Sequence, residues 1–188
     1  MNPIIQSFPE KIESARLYIR PCLPGDGAAV HDALVHSRAE LMEWLPFAQK
    51  ESTLDEVEEG IRKSYAKFIL REDFRLHIYR KSDDVFIGST GLHRIDWDIP
   101  KFEIGYWIDS RYAIKGYVTE AVDALTGFAF DFYGANRVEI RCDSKNVRSK
   151  LVAERLGFDL EAVMRNDSRS ADGKELRDTC VYARTNKN

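Results

Sequence analysis

The stretch Phe102-Glu103-Ile104-Gly105-Tyr106-Trp107-Ile108 and, a short loop later, Lys115-Gly116-Tyr117-Val118-Thr119-Glu120-Ala121 decides how the rest of the chain is read. Phe102, Ile104, Tyr106 and Ile108 alternate with other residues, the period of a strand that ends near Asp109. From Thr119 to Tyr133 the period becomes helical, with Val122, Leu125, Ala129 and Phe132 expected inward. Strand, glycine loop and helix in that order aim several backbone N–H groups and a helix dipole at one point, which suits a phosphate. Lys115 adds a positive charge there, and Gly116 permits close backbone approach. A single glycine ahead of a helix is also an ordinary turn. The surrounding sequence has to decide between the two.

Downstream, Val138, Ile140 and Cys142 alternate as a strand. A helix lies between that strand and the one ending at Ile108, so a right-handed crossover makes the two parallel neighbours. Asn146 to Leu156 reads as a helix closed by Gly157, and Phe158–Val163 and Thr179–Ala183 as two final strands. Upstream, Phe74–Ile78, Val85–Leu92 and Phe102–Ile108 are separated by the turns Ser82-Asp83-Asp84 and Asp96–Pro100, the spacing of an antiparallel meander. Thr53 and Glu56 have capping-box spacing and open a helix with Leu54, Val57, Ile61, Tyr65 and Phe68 on one face. Leu41–Phe47 suggests a second short helix ending in an aromatic loop. Gly25-Asp26 offers a cap for a helix with Val30, Leu34 and Val35 as its stripe, and Leu17–Arg20 a first strand stopped by Pro21. The expected fold is mixed α/β: residues 1–13 a loose tail and residues 14–188 one domain, with a mostly antiparallel sheet and one parallel pair.

A chain of 188 residues can bury a core of its own, and its formal net charge of −3 argues against direct binding to nucleic acid or an anionic membrane. Met1–Glu10 lacks the pattern of a signal peptide, and no apolar run approaches the roughly 20 residues of a membrane helix. Cys22, Cys142 and Cys180 are three widely spaced thiols, which suggests a reducing, cytoplasmic setting. Neither they nor His31, His36, His77 and His93 have metal-ligand spacing, so no metal is expected.

Taken in order, the strand at Phe102–Ile108, the loop and helix at Lys115–Ala121, and Asn146-Val147-Arg148-Ser149 leading to Leu156-Gly157-Phe158 resemble the GNAT superfamily of acetyltransferases. Met164-Arg165-Asn166, Asp172-Gly173, Arg177-Asp178 and Tyr182 resemble its branch that acetylates the N-termini of ribosomal proteins. The resemblance runs from about Ser14 to Thr185. It implies a single GNAT domain whose parallel strands splay apart, with helices on both faces, and acetyl-CoA as co-substrate. The family's pyrophosphate loop falls on Ala113, Ile114, Lys115, Gly116, Tyr117 and Val118, followed by Thr119. Gly116 matches its glycine. Ala113 stands in place of Gln or Arg, Ile114 where close relatives often have glycine, and Val118 in place of Gly or Ala. The backbone donors survive these changes, because any residue but proline supplies an N–H.

The resemblance further implies that the pantetheine arm lies between the splayed strands, with backbone contacts from Trp107 and Ile108 and a bond from Asn146. The amine would attack directly, since no Cys–His or Ser–His pair in the sequence argues for a covalent intermediate. Ser149, three residues after Asn146, is the candidate to protonate the departing thiolate; as an ordinary helix serine it needs no role. Asn146 is equally a plain helix cap. Glu103 shares a strand face with Gly105 and Trp107 and is a candidate base, or else a solvated edge carboxylate. Glu120 fits a structural place in the helix's first turn. Tyr117 and Tyr182 are alternative acids, and His93 is the histidine nearest the expected cleft. Trp44–Phe47 borders the acceptor site in the resembling branch.

The sequence thus points to an N-acetyltransferase acting on a primary amine, first of all the α-amino group of a ribosomal protein. A small amine such as a polyamine or aminoglycoside, and an acyl-CoA-binding protein without catalysis, are the alternatives. A homodimer is compatible with each.

Overall fold

The computed structural model describes residues 2–186; Met1, Lys187 and Asn188, which the expected tail and domain ranges include, lie outside the described residues. Eight strands form one sheet: β1 (Ile12–Glu13), β2 (Leu17–Pro21), β3 (Phe74–Arg80), β4 (Val85–Asp96), β5 (Lys101–Ile108), β6 (Arg137–Asp143), β7 (Asp159–Arg169) and β8 (Leu176–Thr185). Their spatial order is β1-β2-β3-β4-β5-β6-β8-β7. All neighbours are antiparallel except β5 and β6, the parallel pair that the crossover rule required. Four helices cover it: α1 (Gly27–Leu41), α2 (Leu54–Ile69), α3 (Tyr117–Asp131) and α4 (Val147–Arg155).

The two faces carry separate cores. Phe74, Leu76 and Ile78 of β3 and Phe102 and Ile104 of β5 pack with Val122, Leu125 and Ala129 of α3 and Ala153 of α4. On the other face Tyr79 and Phe86 meet Val30 and Ala33 of α1 and Val57 and Ile61 of α2. The capping box forms as expected: Glu56 N donates to Thr53 Oγ1 at 3.2 Å and Thr53 N to Glu56 Oε2 at 2.8 Å. One register step between β3 and β4 near Ile78 and Tyr79 changes which β4 residues face which way. Ile87 and Leu92 enter the α3 core, while the partners of His77 and Arg75 are Ser89 and Gly91. Thus Ser89, Gly91 and His93 point toward α1 and α2.

Several expectations need correction. The stretch before Ser14 is not loose: β1 pairs with β2, and Phe8 packs its ring 5.0 Å from Phe68 and 5.2 Å from Phe128. Leu41–Phe47 is not a second helix, for Leu41 ends α1 and only a 3-10 turn, Pro46–Ala48, follows. The inward face of α1 is Val30, Ala33, Ser37 and Leu41, leaving Val35 exposed, and Leu54 and Phe132 are also exposed. Ser37 is buried because its hydroxyl accepts a backbone bond, a partner that hydrophobic periodicity cannot show. The last two strands form a hairpin longer than expected, and β7 is exposed along most of its length. Its ladder with β8, rather than burial, holds it.

Phe74 is fully buried, with rings of Phe8, Phe68, Trp97 and Tyr133 within 6.2 Å. Phe74→Ala should lower unfolding free energy in urea by about 3–5 kcal/mol, the usual loss for a buried ring. A loss under about 1.5 kcal/mol would mean that the aromatic cluster collapses into the space left by the ring.

Candidate active site

Although β5 runs to Ile108 and β6 to Asp143, they pair only at Lys101–Arg137, Phe102–Val138 and Glu103–Glu139. Beyond Glu103 each keeps its outer partner: β5 stays with β4 as far as Ile108, and β6 with β8 as far as Asp143. The strands therefore part, and their inner edges over Ile104–Ile108 and Ile140–Asp143 offer backbone donors and acceptors to a ligand. Tyr106 reaches from β5 to α4, its Oη 2.8 Å from Ser149 Oγ and donating to Ser149 O at 3.1 Å. Burial holds the Tyr106 hydroxyl well above the usual tyrosine range, against the bond from Ser149 that lowers it. It therefore stays protonated. Asn146 Oδ1 accepts from Ser149 N at 3.0 Å, so Asn146 is the cap of α4. Burial also raises the Cys142 thiol, beside Ser149, to about 11.

At the outer end of the gap the chain is fixed before it turns into α3. Asp109 is fully buried and accepts from Arg111 N at 2.9 Å and Arg111 Nη2 at 2.6 Å, while Ser110 N donates to Ser37 Oγ of α1 at 2.8 Å. A 3-10 turn, Ser110–Tyr112, leads into the loop. Ala113 closes that turn, Lys115 Nζ donates back to Arg111 O at 3.4 Å, and Gly116 is left-handed with φ of 78°. The helix starts at Tyr117, two residues earlier than Thr119, so the amides of Tyr117, Val118 and Thr119 form its open first turn. Ile114 is left-handed too, with φ of 63°, and 91% exposed.

Arg16 clamps this loop. Its Nη1 donates to Lys115 O at 3.0 Å, its Nε to Glu120 Oε2 at 2.6 Å, and its guanidinium stacks 4.5 Å from the Tyr117 ring. Glu120 also accepts from Ser14 Oγ at 2.8 Å and Arg16 N at 2.7 Å, which is the structural place expected of it. Sequence reading did not find Arg16, which lies about a hundred residues away from the loop and carries no motif. Beside the loop a cleft of about 410 Å³ is lined by Gly116, Thr119, Glu120, Asp123, Arg155 and Leu156.

A larger cavity, about 530 Å³, opens on the opposite face, between the sheet and α1 and α2. Ser89, His93, Gly105 and Trp107 belong to its sheet side, and Val57, Gly60 and Ser64 of α2 to its wall. Leu45 and Phe47 of the aromatic loop border it, and Trp44 and Pro46 do not. Glu103 is close by but is not among the lining residues. Burial raises its pKa, offset by Arg94 and Arg141, whose Nε atoms lie 3.4 Å and 4.0 Å from its Oε2. His93 does line the cavity, with Nδ1 2.7 Å from Asp73 Oδ2. Tyr182 donates to Glu154 Oε1 at 2.9 Å and Tyr117 lies under Arg16, so each is already engaged. The structure thus gathers Ser149, Asn146, Trp107 and Ile108 about the gap, Ala113–Thr119 at its outer end, and Glu103 behind the cavity.

Residues 16–159 match the family described as the acetyltransferase (GNAT) domain. The chain belongs to the GNAT acetyltransferase family. It is an acetyltransferase, and its fold is that of the family. YdaF of Bacillus subtilis (strain 168), provisionally named a ribosomal N-acetyltransferase, is 33% identical over 144 residues, 74% of this chain and 76% of that protein. The ribosomal-protein-serine acetyltransferase of Escherichia coli (strain K12) is 28% identical over 147 residues, 76% of each chain. Among solved structures, the RimL ribosomal L7/L12 alpha-N-protein acetyltransferase in complex with coenzyme A shares the fold, with a TM-score of 0.85 at 23% identity over 94% of this chain and 98% of that one. The helices α3 and α4, the parted strands and the loop at Gly116 all lie within the residues matched to the family.

Ile114 gives this site a test of its own. A left-handed conformation costs a residue with a Cβ about 1–2 kcal/mol, and glycine's looser unfolded chain returns about 0.5–1 kcal/mol of that. Ile114→Gly should therefore raise unfolding free energy by about 0.5–1 kcal/mol, since the side chain buries little. Denaturant curves showing a loss of about 1 kcal/mol would mean that the isoleucine makes contacts the structure lacks.

Proposed function

We infer that the enzyme transfers the acetyl group of acetyl-CoA to the α-amino group at the N-terminus of a protein, with a ribosomal protein as the acceptor. The observation that carries this reading is the parting of β5 and β6 after Glu103–Glu139, with the Gly116 loop at one end of the gap and Ser149 on its wall. The residues fit the coenzyme. The open amides of Tyr117–Thr119, the left-handed Gly116 and Lys115 suit a pyrophosphate, with Ala113, Ile114 and Val118 contributing backbone. The free edge of β5 at Trp107 and Ile108 suits the amides of a pantetheine arm, and Asn146 stands at the opposite side. Acetyl-CoA supplies an activated acyl carbon and a thiol leaving group when bound.

The chain's own residues supply the rest. A backbone N–H of the β5 edge near Trp107 and Ile108 stabilises the oxygen on which charge develops. Ser149 Oγ, backed by the protonated hydroxyl of Tyr106, hands a proton to the departing sulfur. The cavity beneath α1 and α2 admits the acceptor from the other face, where Leu45 and Phe47 give it an apolar border. An α-amino group, with an ordinary pKa of about 7.7–8.0, reaches its neutral form far more readily than a lysine at about 10.4, which favours a chain terminus as acceptor. The named relatives from Bacillus subtilis and Escherichia coli support the same class of substrate.

Thiol release from acetyl-CoA against a panel of N-terminal peptides, a polyamine and an aminoglycoside tests the reading. Peptides should be acetylated; turnover with the small amines alone, or with none, would replace it. Ser149→Ala should lower kcat at least about tenfold with coenzyme affinity nearly unchanged, as acid–base assistance is ordinarily worth about 10²–10⁴-fold. Full kcat with a raised KM for the amine would make Ser149 a positioning residue instead. Gly116→Asp should abolish the rise in melting temperature that acetyl-CoA confers on the wild type, because a carboxylate and a Cβ would occupy the phosphate's place.

A further inference from the structure

We propose that His93, held by Asp73, is the base that takes the proton from the acceptor's ammonium group, with Asp73 as its positioning residue. The inference rests on the amine acetylation described above and concerns the cavity side of β5 rather than the gap side.

Three observations place the imidazole. First, His93 Nδ1 lies 2.7 Å from Asp73 Oδ2. A carboxylate oxygen accepts from a ring N–H, so in the neutral imidazole the hydrogen sits on Nδ1 and Nε2 keeps its lone pair. Second, Gly91 and Gly105 are cross-strand partners on the same face, and the ring lies against them. A Cβ built on Gly91 would come within 2.7 Å of His93 Nε2, and one on Gly105 within 3.3 Å. Two adjacent glycines thus clear a floor on which the imidazole lies flat, beside the β5 residues that border the gap. Third, the His93 side chain is 32% exposed and lines the cavity together with Gly105, Tyr106 and Trp107. The register step between β3 and β4 is what turns it to that side.

Glu103, the cross-strand partner of His93, is the competing base. Its Oε2 is buried, takes no hydrogen bond among the described residues, and faces Arg94 and Arg141. His93 reaches the cavity and Glu103 does not. The charged groups that face the imidazole or the cavity it borders are Asp73 and Arg75 from the β3 side, Arg94 on β4, Glu103 on β5, Arg141 on β6 behind Glu103, and Glu56 on α2.

The proton balance is simple. The acceptor's ammonium gives one proton to His93 Nε2, and the freed lone pair forms the C–N bond as the C–S bond breaks. A second amine proton goes to the departing thiolate by way of Ser149. The imidazolium left behind, stabilised by Asp73, returns its proton to water, so that one proton is released per amide formed.

The enzyme is assayed from about pH 6 to about pH 9.5 with whichever amine of the panel it acetylates. His93→Gln should lose at least about tenfold in kcat at about pH 7, and the deficit should shrink to within about threefold once the pH exceeds the amine's own pKa, about 7.7–8.0 for a chain terminus. A neutral amine no longer needs a base. Asp73→Asn should lose about three- to tenfold in kcat with the amine's KM unchanged, because the amide no longer fixes the hydrogen on Nδ1 or the orientation of the ring. In both variants acetyl-CoA should still raise the melting temperature as it does in the wild type. Nitrogen NMR of the His93 ring in the free wild-type protein should show hydrogen on Nδ1. A loss that is the same at every pH, full activity of His93→Gln at neutral pH, or hydrogen on Nε2 overturns the proposal. If His93→Gln does not fold, Asp73→Asn and the ring spectrum decide it. Should the wild type acetylate only a small amine, the protein-terminus reading falls, while Asp73→Asn and the ring spectrum still judge the dyad, since the pKa of an alkyl amine, about 10.4, lies above the assayed range.

Discussion

Everything at this site depends on two parallel strands that stop pairing. A parallel ladder that continued past Glu103–Glu139 would satisfy the inner edges of β5 and β6 and close the sheet. Instead each strand remains held on its outer side only, by β4 and by β8. Backbone polar groups left over in this way are costly when buried and dry, by roughly 1–3 kcal/mol each. They are tolerable where water or a ligand with amides of its own enters between them. The wedge is kept open from within: Tyr106 spans from β5 to the first turn of α4, and its two contacts with Ser149 fix how far the helix stands from the strand.

An open seam is useful only if the chain leaving it is aimed. Here two polar clamps do that work, one from each face. Asp109, fully buried, is matched by Arg111 and by the α1 serine Ser37, which tie the end of β5 to the α1 side. A buried carboxylate stripped of such a partner costs about 3–5 kcal/mol, enough to hold the loop in place. On the other side Arg16 binds the loop carbonyl of Lys115, pairs with Glu120 and covers Tyr117. The strained Ile114 sits between these clamps, and a conformation unfavourable to a β-branched residue persists because both ends of the loop are fixed.

Elements with periodicity were legible in the sequence; partners separated by long stretches of chain were not. The alternation of Phe74, Leu76 and Ile78, the capping box at Thr53 and Glu56, and the crossover into β6 each depend on near neighbours, and each formed as read. The face of α1 was misread because it is completed by a buried serine whose partner, Ser110, lies over seventy residues away. The hairpin of β7 and β8 ran past its expected ends because its outer part, from Arg165 to Arg169, is exposed and polar, and so has no apolar alternation to mark it. For the site, the pattern from Phe102 to Ala121 led to the Gly116 loop, and the resemblance at Asn146–Ser149 led to Ser149. Arg16, Asp73 and the hydroxyl of Tyr106 escaped notice because their roles arise only from what folding brings beside them.

β5 is the wall between the seam and the cavity. Because side chains alternate along a strand, Tyr106 and Ile108 turn to the α3 and α4 side while Gly105 and Trp107 turn to the cavity under α1 and α2. Its backbone edge lies between the two. A coenzyme entering the seam and an amine entering the cavity would therefore meet at one short stretch of strand without passing each other. That geometry favours direct transfer over a relay through an enzyme nucleophile. The nearest thiol, Cys142, agrees: burial keeps it protonated, and a protonated thiol is a poor nucleophile. Glycines at Gly91 and Gly105 complete the arrangement, since any larger side chain would fill the space between the strand edge and the imidazole beside it. What looks in the sequence like a weak spot in two strands is the space on which the imidazole rests.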